Sequence, residues 1–191
     1  MNRTEIVTAI KAQLDELSDL GSADTDLIDS ILDEQAIELM RIIPKDFMTP
    51  VVLVLSSPLG LRTGYADFAL PGDFVRIDFI DEATLERPIL ELSPVTPDFY
   101  NPHLQPGVSR PRAIILNHEV TPVANKILRV SPDIGDRGLG SYFPETLPEN
   151  MLEKAQYGLV FKAAAHVAGI LEEQNAIAVL NSKFENWIKT L

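Results

Sequence analysis

The sequence predicts an α+β fold in which helices from the two ends of the chain form a bundle and a β-rich insert lies between them. Apolar residues recur at helical spacing near both termini. Residues 75–79, in the run GYADFALPGDFVRIDFI, alternate between apolar and charged side chains, as in a strand with one buried face. Stretches in which Pro, Asn, Asp and Gly recur separate this strand from three further strand candidates. We therefore expect residues 1–50 and 145–191 to form the bundle and residues 51–144 to form the insert.

Length and composition indicate a globular protein with a sizeable core. The chain has 191 residues, of which 46% are hydrophobic. This length suits one domain or one domain with an insertion, and the hydrophobic content suffices for its core. No uninterrupted apolar stretch approaches the roughly 20 residues of a membrane helix, and acids stand where a signal peptide is apolar. We expect the protein to stay in the cytoplasm or in a particle assembled there. The absence of cysteine excludes disulfides, thiolate metal sites and a cysteine nucleophile.

The charge balance argues against a simple nucleic-acid binder. The sequence carries 28 acids and 16 bases, for a formal net charge of −12. Proteins that hold DNA concentrate Lys and Arg on the contacting face, where they neutralise phosphates. We therefore expect DNA to pass near this protein without sticking to it. The acids also keep the chain in solution, because net charge governs solubility and association.

Two amphipathic helices are predicted at the N-terminal end. Asn2 and Glu5 have the spacing of a capping box at the start of the first helix, which is expected to end near Gly21. Its apolar face consists of Ile6, Ile10, Leu14, Leu17 and Leu20. The second helix is expected to begin at residues 24–26 and to end at Pro44. Its predicted apolar face consists of Leu27, Ile31, Ile37, Met40 and Ile43.

Two more helices are predicted at the C-terminal end. Thr146 and Glu149 have the spacing of a second capping box, and Pro148 is tolerated in a first helical turn. This third helix is expected to run from about 147 to about 171. Its many small residues let neighbouring helices approach closely, so we place it at the centre of the bundle, with Leu159, Val160, Val167 and Ile170 in the core. The last helix is amphipathic through Ile177, Leu180, Phe184, Trp187 and Leu191.

The insert is expected to contain several short strands and one long loop. After residues 75–79, the strand candidates are Pro88–Leu92, Ala113–Asn117 and Lys126–Val130. The link from Ser93 to Pro111 holds five prolines and two aromatic residues, and a loop of this length either binds something or stays mobile. The glycine-bearing run at 133–145 is interpreted as a hinge into the third helix.

Two stretches of the insert are candidate contact surfaces. The first is the apolar run VVLVLSSPLGL, which is equally consistent with a buried strand. The second is the aromatic part of the long loop. The candidate interface residues are Val51, Val52, Leu53, Leu55, Leu59, Leu61, Phe99, Tyr100, His103 and Leu104.

A metal-dependent or acid/base enzyme is the alternative from a different class. Its candidate residues are His103, His118, Glu119 and His166, but they lack the short spacing that places ligands on one helix face. The sequence contains no GxSxG motif, and the glycines at 135, 138 and 140 do not match a P-loop. We therefore predict no catalytic residue, no metal and no cofactor.

A resemblance to a known family rests on four segments taken in order. They are LIDSILDEQAIELMRIIP, ADFALPGDFVRIDFI, RPRAIILNH followed by KILRVSP, and LVFKAAAHVAGILEEQNAIAVLN. The chain resembles the head-to-tail connector, or adaptor, proteins of tailed bacteriophages, and among them the ring proteins of crAss-like short-tailed phages. The residues that match the family motifs are Leu70, Pro71, Asp73, Phe74, Arg110, Pro111, Arg129, Ser131 and Pro132.

The resemblance implies a structural virion protein that catalyses nothing. Such proteins form a ring of about twelve copies beneath the portal protein, contact neighbouring tail or ring proteins and continue the DNA channel into the tail. DNA passes through without sequence-specific binding, and a negatively charged channel lets it slide. The expected location is the head-to-tail junction of a virion assembled in the bacterial cytoplasm. The remaining alternative is a non-viral helical scaffold that presents its β insert to a partner.

Overall fold

The computed structural model describes residues 1–17, 24–56, 58–62, 64–93, 108–117, 126–135 and 138–191. Within these residues the chain is α+β. It divides into two compact units, one formed by residues 1–49 with 145–191 and the other by residues 50–144. The first is called the helical unit below, and the second the β unit.

The helical unit contains four α-helices among the described residues. They are α1 (Arg3–Leu17), α2 (Thr25–Ile42), α3 (Glu153–Ile170) and α4 (Gln174–Ile188). Helix α3 packs against each of the other three, which confirms its predicted central position. Its alanines 155, 163, 164 and 168 are fully buried. Because a methyl group is short, the neighbouring helices approach the α3 backbone closely.

The start of α1 follows the predicted capping chemistry, and α2 begins at the predicted position. Asn2 Oδ1 accepts a hydrogen bond from the Glu5 amide at 2.9 Å, and Glu5 Oε2 accepts one from the Asn2 amide at 2.8 Å. This reciprocal pair is a capping box. At α2 the Asp24 side chain accepts from the Asp26 amide, and the helix ends at Ile42 ahead of Pro44. The predicted end of the first helix near Gly21, and Leu20 with it, lies outside the described residues.

The buried stripe of α2 differs from the predicted one. Leu27, Ile31 and Ile37 lie beside the buried stripe and are only partly buried. The predicted apolar face left a gap of six residues between 31 and 37, whereas the residues on one face of a helix recur every three or four positions. The observed stripe keeps that spacing and consists of Ile28, Leu32, Gln35, Ala36, Leu39, Met40 and Ile43.

The predicted capping box of α3 is wrong. Pro148–Asn150 form a separate 3₁₀ turn, and α3 begins at Glu153 without a side-chain cap. Buried Gln156 holds this turn, because its Nε2 donates to the carbonyl oxygens of Pro148 at 3.0 Å and Glu149 at 3.3 Å. At the other end of α3, Ile170 is 46% exposed and does not fill the core as expected.

The β unit contains seven strands in the part of the chain that the structure describes. They are β1 (Val51–Leu55), β2 (Gly60–Arg62), β3 (Tyr65–Ala69), β4 (Phe74–Asp81), β5 (Arg112–Asn117), β6 (Lys126–Ser131) and β7 (Gly138–Pro144). One sheet has the order β1-β7-β4 and the other β2-β3-β6-β5, and every pairing is antiparallel. Strands β5 and β6 confirm two of the predicted strands.

Two predictions about the insert are wrong. The presumed hinge at 133–145 contains β7, the central strand of the three-stranded sheet. Its glycines mark close packing, because a Cβ atom at Gly140 would lie 2.2 Å from the Phe79 carbonyl oxygen. The predicted strand Pro88–Leu92 is reduced to one β-bridge between Ile89 and Ile80.

Strand β4 confirms the predicted strand at 75–79, although its buried residues are different. Phe74, Ile77 and Ile80 face the core, whereas Val75 and Phe79 are only partly buried. The register against β7 shifts between Phe74 and Arg76 and again between Ile77 and Phe79. Each irregularity breaks the two-residue alternation that the prediction assumed.

Candidate functional site

The three-stranded sheet exposes large apolar side chains on the face opposite its core. Along β1, Leu53 and Leu55 are buried in the core, whereas Val52 and Val54 are 67% and 63% exposed. Leu139 on β7 lies directly opposite Val54 in the register and is 53% exposed. Directly paired residues share a face of the sheet. These three side chains, with the partly buried Phe79 on β4 beside them, form what we call the outer apolar face.

The same sheet has an open edge at β1. Among the described residues β1 pairs with β7 on one side and has no strand on the other. Its sequence, VVLVL, contains no charge and no proline. Proteins usually protect such an edge with lysine, proline, a bulge or a covering segment, because its free backbone groups recruit other strands. Strand β1 has the chemistry of a surface that another chain covers.

Carboxylates border the outer apolar face at the end of β4. Asp81 lies opposite Leu139 in the register. Together with Glu82 it lines a shallow depression whose apolar residues are Phe79, Ala83, Leu85 and Leu139. Asp81 Oδ1 accepts a hydrogen bond from the Glu82 amide at 2.9 Å, so the turn itself orients that carboxylate. The depression combines an apolar floor with negative charge, which suits the stem and head of a Lys or Arg side chain.

The predicted interface residues fall into four groups. Val51, Val52 and Leu59 are exposed, by 44%, 67% and 61%. Leu53 and Leu55 lie in the core of the β unit, so they are not part of the candidate surface. Leu61 lies on β2. Four others lie outside the described residues, namely Phe99, Tyr100, His103 and Leu104.

Sequence reasoning missed Leu139, and it included Val54 in the apolar run without naming it among the candidate interface residues. Val54 was available from the period of two in VVLVL, because a strand that buries Leu53 and Leu55 turns Val52 and Val54 to the opposite face. Leu139 was hidden because its segment was interpreted as a hinge.

Four of the family-motif residues, Leu70, Pro71, Asp73 and Phe74, build a turn and part of the core. The Phe74 amide donates to the Pro71 carbonyl oxygen at 3.2 Å, which closes the turn before β4. Leu70 and Phe74 are buried, and the Phe74 ring stacks on Tyr142 at a centroid distance of 5.8 Å. Asp73 accepts a hydrogen bond from the Tyr142 hydroxyl at 3.1 Å. These residues therefore stabilise the β unit.

Arg129, another family-motif residue, is held by an ion pair on the four-stranded sheet. It lies opposite Asp67 in the β3–β6 register. Its Nε and Nη2 donate to the two carboxylate oxygens of Asp67, each at 2.7 Å, and its guanidinium lies 4.0 Å from the centre of the Tyr65 ring. The two charged side chains are only 11% and 16% exposed. The pair is thus a bidentate, largely buried contact.

The other motif residues lie at the ends of β5 and β6. Ser131 ends β6, and its hydroxyl donates to the Gly64 carbonyl oxygen at 2.8 Å. Pro132 follows through a cis peptide bond. Before β5, Pro111 is buried and Arg110 is exposed. Of these motif residues, Arg110 has the exposure expected of a contact residue.

The proposed acid/base residues are not brought together by the described part of the chain. His166 lies exposed on α3, and its Nδ1 is 3.3 Å from Gln35 Nε2. Among the described residues no three His, Cys, Asp or Glu side chains gather closely enough to hold a metal ion. The remaining candidates, His103, His118 and Glu119, lie outside the described residues.

The acidic excess is concentrated in the helical unit. Residues 1–49 and 145–191 carry 17 acids and 8 bases, whereas residues 50–144 carry 11 acids and 8 bases. The helical unit thus has a formal charge of −9 and the β unit one of −3. Electrostatic repulsion between two β units is therefore weaker than repulsion between two helical units.

Neither the models of protein families nor the curated proteins give a match to this chain. In the part that the structure describes, every helix is too short or too polar to cross a membrane.

Proposed function

We propose that this chain is a structural subunit of the head-to-tail connector ring of a tailed bacteriophage, located beneath the portal protein and present in about twelve copies. The observation that carries the proposal is the outer apolar face together with the edge of β1 that no described strand covers. A folded chain that leaves Val52, Val54 and Leu139 more than half exposed has a surface of the kind that protein partners cover. In this proposal the chain has no catalytic role.

The family resemblance supports the viral part of the proposal. Leu70 and Phe74 lie in the core of the β unit, and Arg129 is held in its four-stranded sheet. The resemblance therefore involves residues that build this unit, and not only scattered surface positions.

The distribution of charge supports a division of labour between the units. With a formal charge of −9 from its 17 acids and 8 bases, the helical unit suits the wall of a channel through which DNA slides. The more neutral β unit suits contacts between copies or with the next ring. In this arrangement the terminal helices form the wall, and the insert between them docks the neighbours.

Electron microscopy of the chain mixed with the portal protein encoded nearest to it tests the proposal. We expect rings stacked coaxially on the portal, from which the copy number is counted directly. A variant that carries Val52→Lys and Val54→Lys should fold but fail to form these rings, because charge is placed on the outer apolar face. Val179→Lys is the matched control, since this valine is 42% exposed and belongs to α4 of the helical unit.

The outcome separates the candidate functions. A chain that does not bind the portal at high concentration and low salt is not a connector, and the non-viral interaction module then replaces this proposal. Rings that form equally well with both valines replaced would show that the outer apolar face is not the assembly surface.

A further inference from the structure

The edge of β1 is suited to a second copy of the same strand. Among the described residues no strand covers this edge, and its Val52 and Val54 are 67% and 63% exposed. The sequence contains no charged residue from position 47 to position 61. A partner of different chemistry is selected through charged and polar groups, which the side chains of β1 do not offer. Two copies of a charge-free strand, in contrast, meet without placing like charges opposite each other.

Antiparallel pairing lets the backbone of β1 be satisfied by a second β1. Along an edge strand, the outward N–H and C=O groups belong to every second residue. Directly paired residues lie on the same face of a sheet. The cores of two β units therefore lie on the same side of the joined sheet only when even-numbered residues pair with even-numbered ones. In such a register, the outward groups of one copy face the outward groups of the other.

One register of this kind uses the whole strand. When it is centred on Leu53, all five residues of β1 are paired. A shift by two residues leaves only part of the strand paired, so fewer backbone groups find a partner. The centred register is therefore the most complete one.

The centred register also joins the outer apolar faces of the two copies. It places Val52 of each copy opposite Val54 of the other, and β-branched side chains pack well across antiparallel strands. Leu139, opposite Val54 in the β1–β7 register, continues the apolar surface on each side. We propose that two copies of this chain pair through β1, antiparallel and centred on Leu53, so that their three-stranded sheets form one continuous sheet.

The contact is isologous, because the same strand serves in both copies. An isologous contact is complete in a dimer, whereas a ring requires contact between two different surfaces. One short strand per copy makes a small interface, so we expect a dissociation constant on the order of 10–100 µM. The pairing does not depend on the connector proposal. Under that proposal, the dimer is the form of the chain without the portal, and it opens when the ring assembles.

Charges placed at the two valines test the contact and its register. The Lys/Lys variant carries Val52→Lys and Val54→Lys, so that lysine lies opposite lysine. The Glu/Lys variant carries Val52→Glu and Val54→Lys, so that glutamate lies opposite lysine at both positions. In sedimentation equilibrium at low salt, the Lys/Lys variant should dimerise at least about tenfold more weakly than wild type. The Glu/Lys variant should dimerise at least about tenfold more tightly than the Lys/Lys variant, because opposite charges are paired.

The two variants share their controls. Both valines are exposed, so each variant should retain the circular dichroism of wild type. Val179→Lys is the matched control, because it replaces a 42% exposed valine of the helical unit. We expect it to dimerise like wild type.

Single cysteines locate the register independently. The chain has no cysteine of its own, so Val52→Cys and Val54→Cys each introduce the sole thiol. Directly opposite residues bring their Cβ atoms to about 4.5–5.5 Å, whereas diagonal neighbours lie farther apart than a disulfide reaches. A mixture of the two variants should therefore form a disulfide between copies faster than either variant does alone. Faster cross-linking of either variant with itself would overturn the centred register.

Three further results would overturn the proposal. The first is a wild-type chain that sediments as a monomer at about 1 mM, well above the expected dissociation constant. The second is a Glu/Lys variant that dimerises no more tightly than the Lys/Lys variant, although both retain their fold. The third is protection of the β1 amides in hydrogen exchange that appears only when the portal protein is added, because the edge then belongs to a strand of another protein.

Failure of this inference is distinguishable from failure of the connector function. A wild-type dimer that does not bind the portal supports the pairing and rejects the connector function. Portal-bound rings formed by a chain that stays monomeric at about 1 mM reject the pairing alone.

Discussion

The indole ring of Trp187 on α4 occupies the space that a side chain at Gly158 on α3 would fill. A Cβ atom built at Gly158 lies 2.2 Å from Trp187 Cη2 and 2.3 Å from Cζ3. The Trp187 ring is also held by Phe184, one turn earlier on α4, at a centroid distance of 5.6 Å. The contact between α3 and α4 therefore depends on the absence of one methyl group.

Gly158→Ala should destabilise the helical unit by about 1–3 kcal/mol, because the added methyl overpacks a filled contact. The emission of Trp187, the only tryptophan, should shift to longer wavelength as the ring is displaced. Urea denaturation followed by this emission measures both effects. Gly169→Ala is the matched control, because it lies on the same helix with no atom within 4 Å of its built Cβ. There we expect a gain of up to about 1 kcal/mol from helix propensity. Equal effects of the two substitutions would show that the α3–α4 contact tolerates the methyl group.

Gly140→Ala should disrupt the three-stranded sheet. The built Cβ lies 2.2 Å from the Phe79 carbonyl oxygen and 3.2 Å from Ile80 Cα. Backbone atoms of a paired strand yield less than a side chain does, so the loss should reach about 3 kcal/mol. Hydrogen exchange should show lower protection in β4 and β7 than in wild type, with the helices unaffected. Gly72→Ala, in the turn before β4 with open space around its Cβ, should change protection little. Unchanged exchange in the Gly140 variant would contradict the close approach of β7 to β4.

The helices were the part of the fold that the sequence predicted best, because their signals are local. Asn2 and Glu5 bond to each other within one turn, and Pro44 stops α2 whatever lies around it. The errors arose where a distant residue decides the outcome. The predicted cap of α3 was replaced by a turn whose carbonyls are held by Gln156, and nothing local to Thr146 and Glu149 indicates that partner.

The strands were harder to predict, because pairing partners are distant in sequence. Strand β7 contains glycines that suggest a hinge, yet Gly140 is glycine because β4 approaches it. The irregular register of β4 also changed which residues are buried. For the same reason, the sequence predicted only part of the candidate site. Val52 was available from the apolar run, whereas Leu139 becomes a surface residue only through its pairing with Val54.

Arg129→Met should destabilise the β unit by about 3 kcal/mol, because it leaves the Asp67 carboxylate largely buried without its cation. Arg129→Lys should recover only part of this loss, since lysine keeps the charge but not the bidentate geometry or the contact with Tyr65. Replacing both partners, with Asp67→Leu and Arg129→Met, should be milder than Arg129→Met alone. Hydrogen exchange in β3 and β6 measures each difference. Lys183→Met, which breaks an exposed pair with Glu16, should cost no more than about 1 kcal/mol in the helical unit. A double variant less stable than the single one would refute the argument from an unpaired charge.

Tyr142→Phe should reduce the loss of stability that the β unit shows at high pH. Burial, and secondarily the hydrogen bond to Asp73, raise the pKa of Tyr142 above its ordinary value. A group whose folded pKa is raised contributes stability that is complete below its unfolded pKa, of about 10 for tyrosine, and is lost as pH rises through the folded pKa. Because the variant lacks the hydrogen bond to Asp73, its free energy of unfolding at neutral pH should fall by about 0.5–1.5 kcal/mol. At high pH it should nevertheless lose less stability than wild type. The ultraviolet absorbance of the ionised phenol, followed against pH, should lose its most alkaline component. Tyr157→Phe, which removes a hydroxyl from a half-exposed ring on α3, is the matched control. If Tyr142→Phe and wild type lose stability in parallel at high pH, the Tyr142 hydroxyl is not the group that titrates.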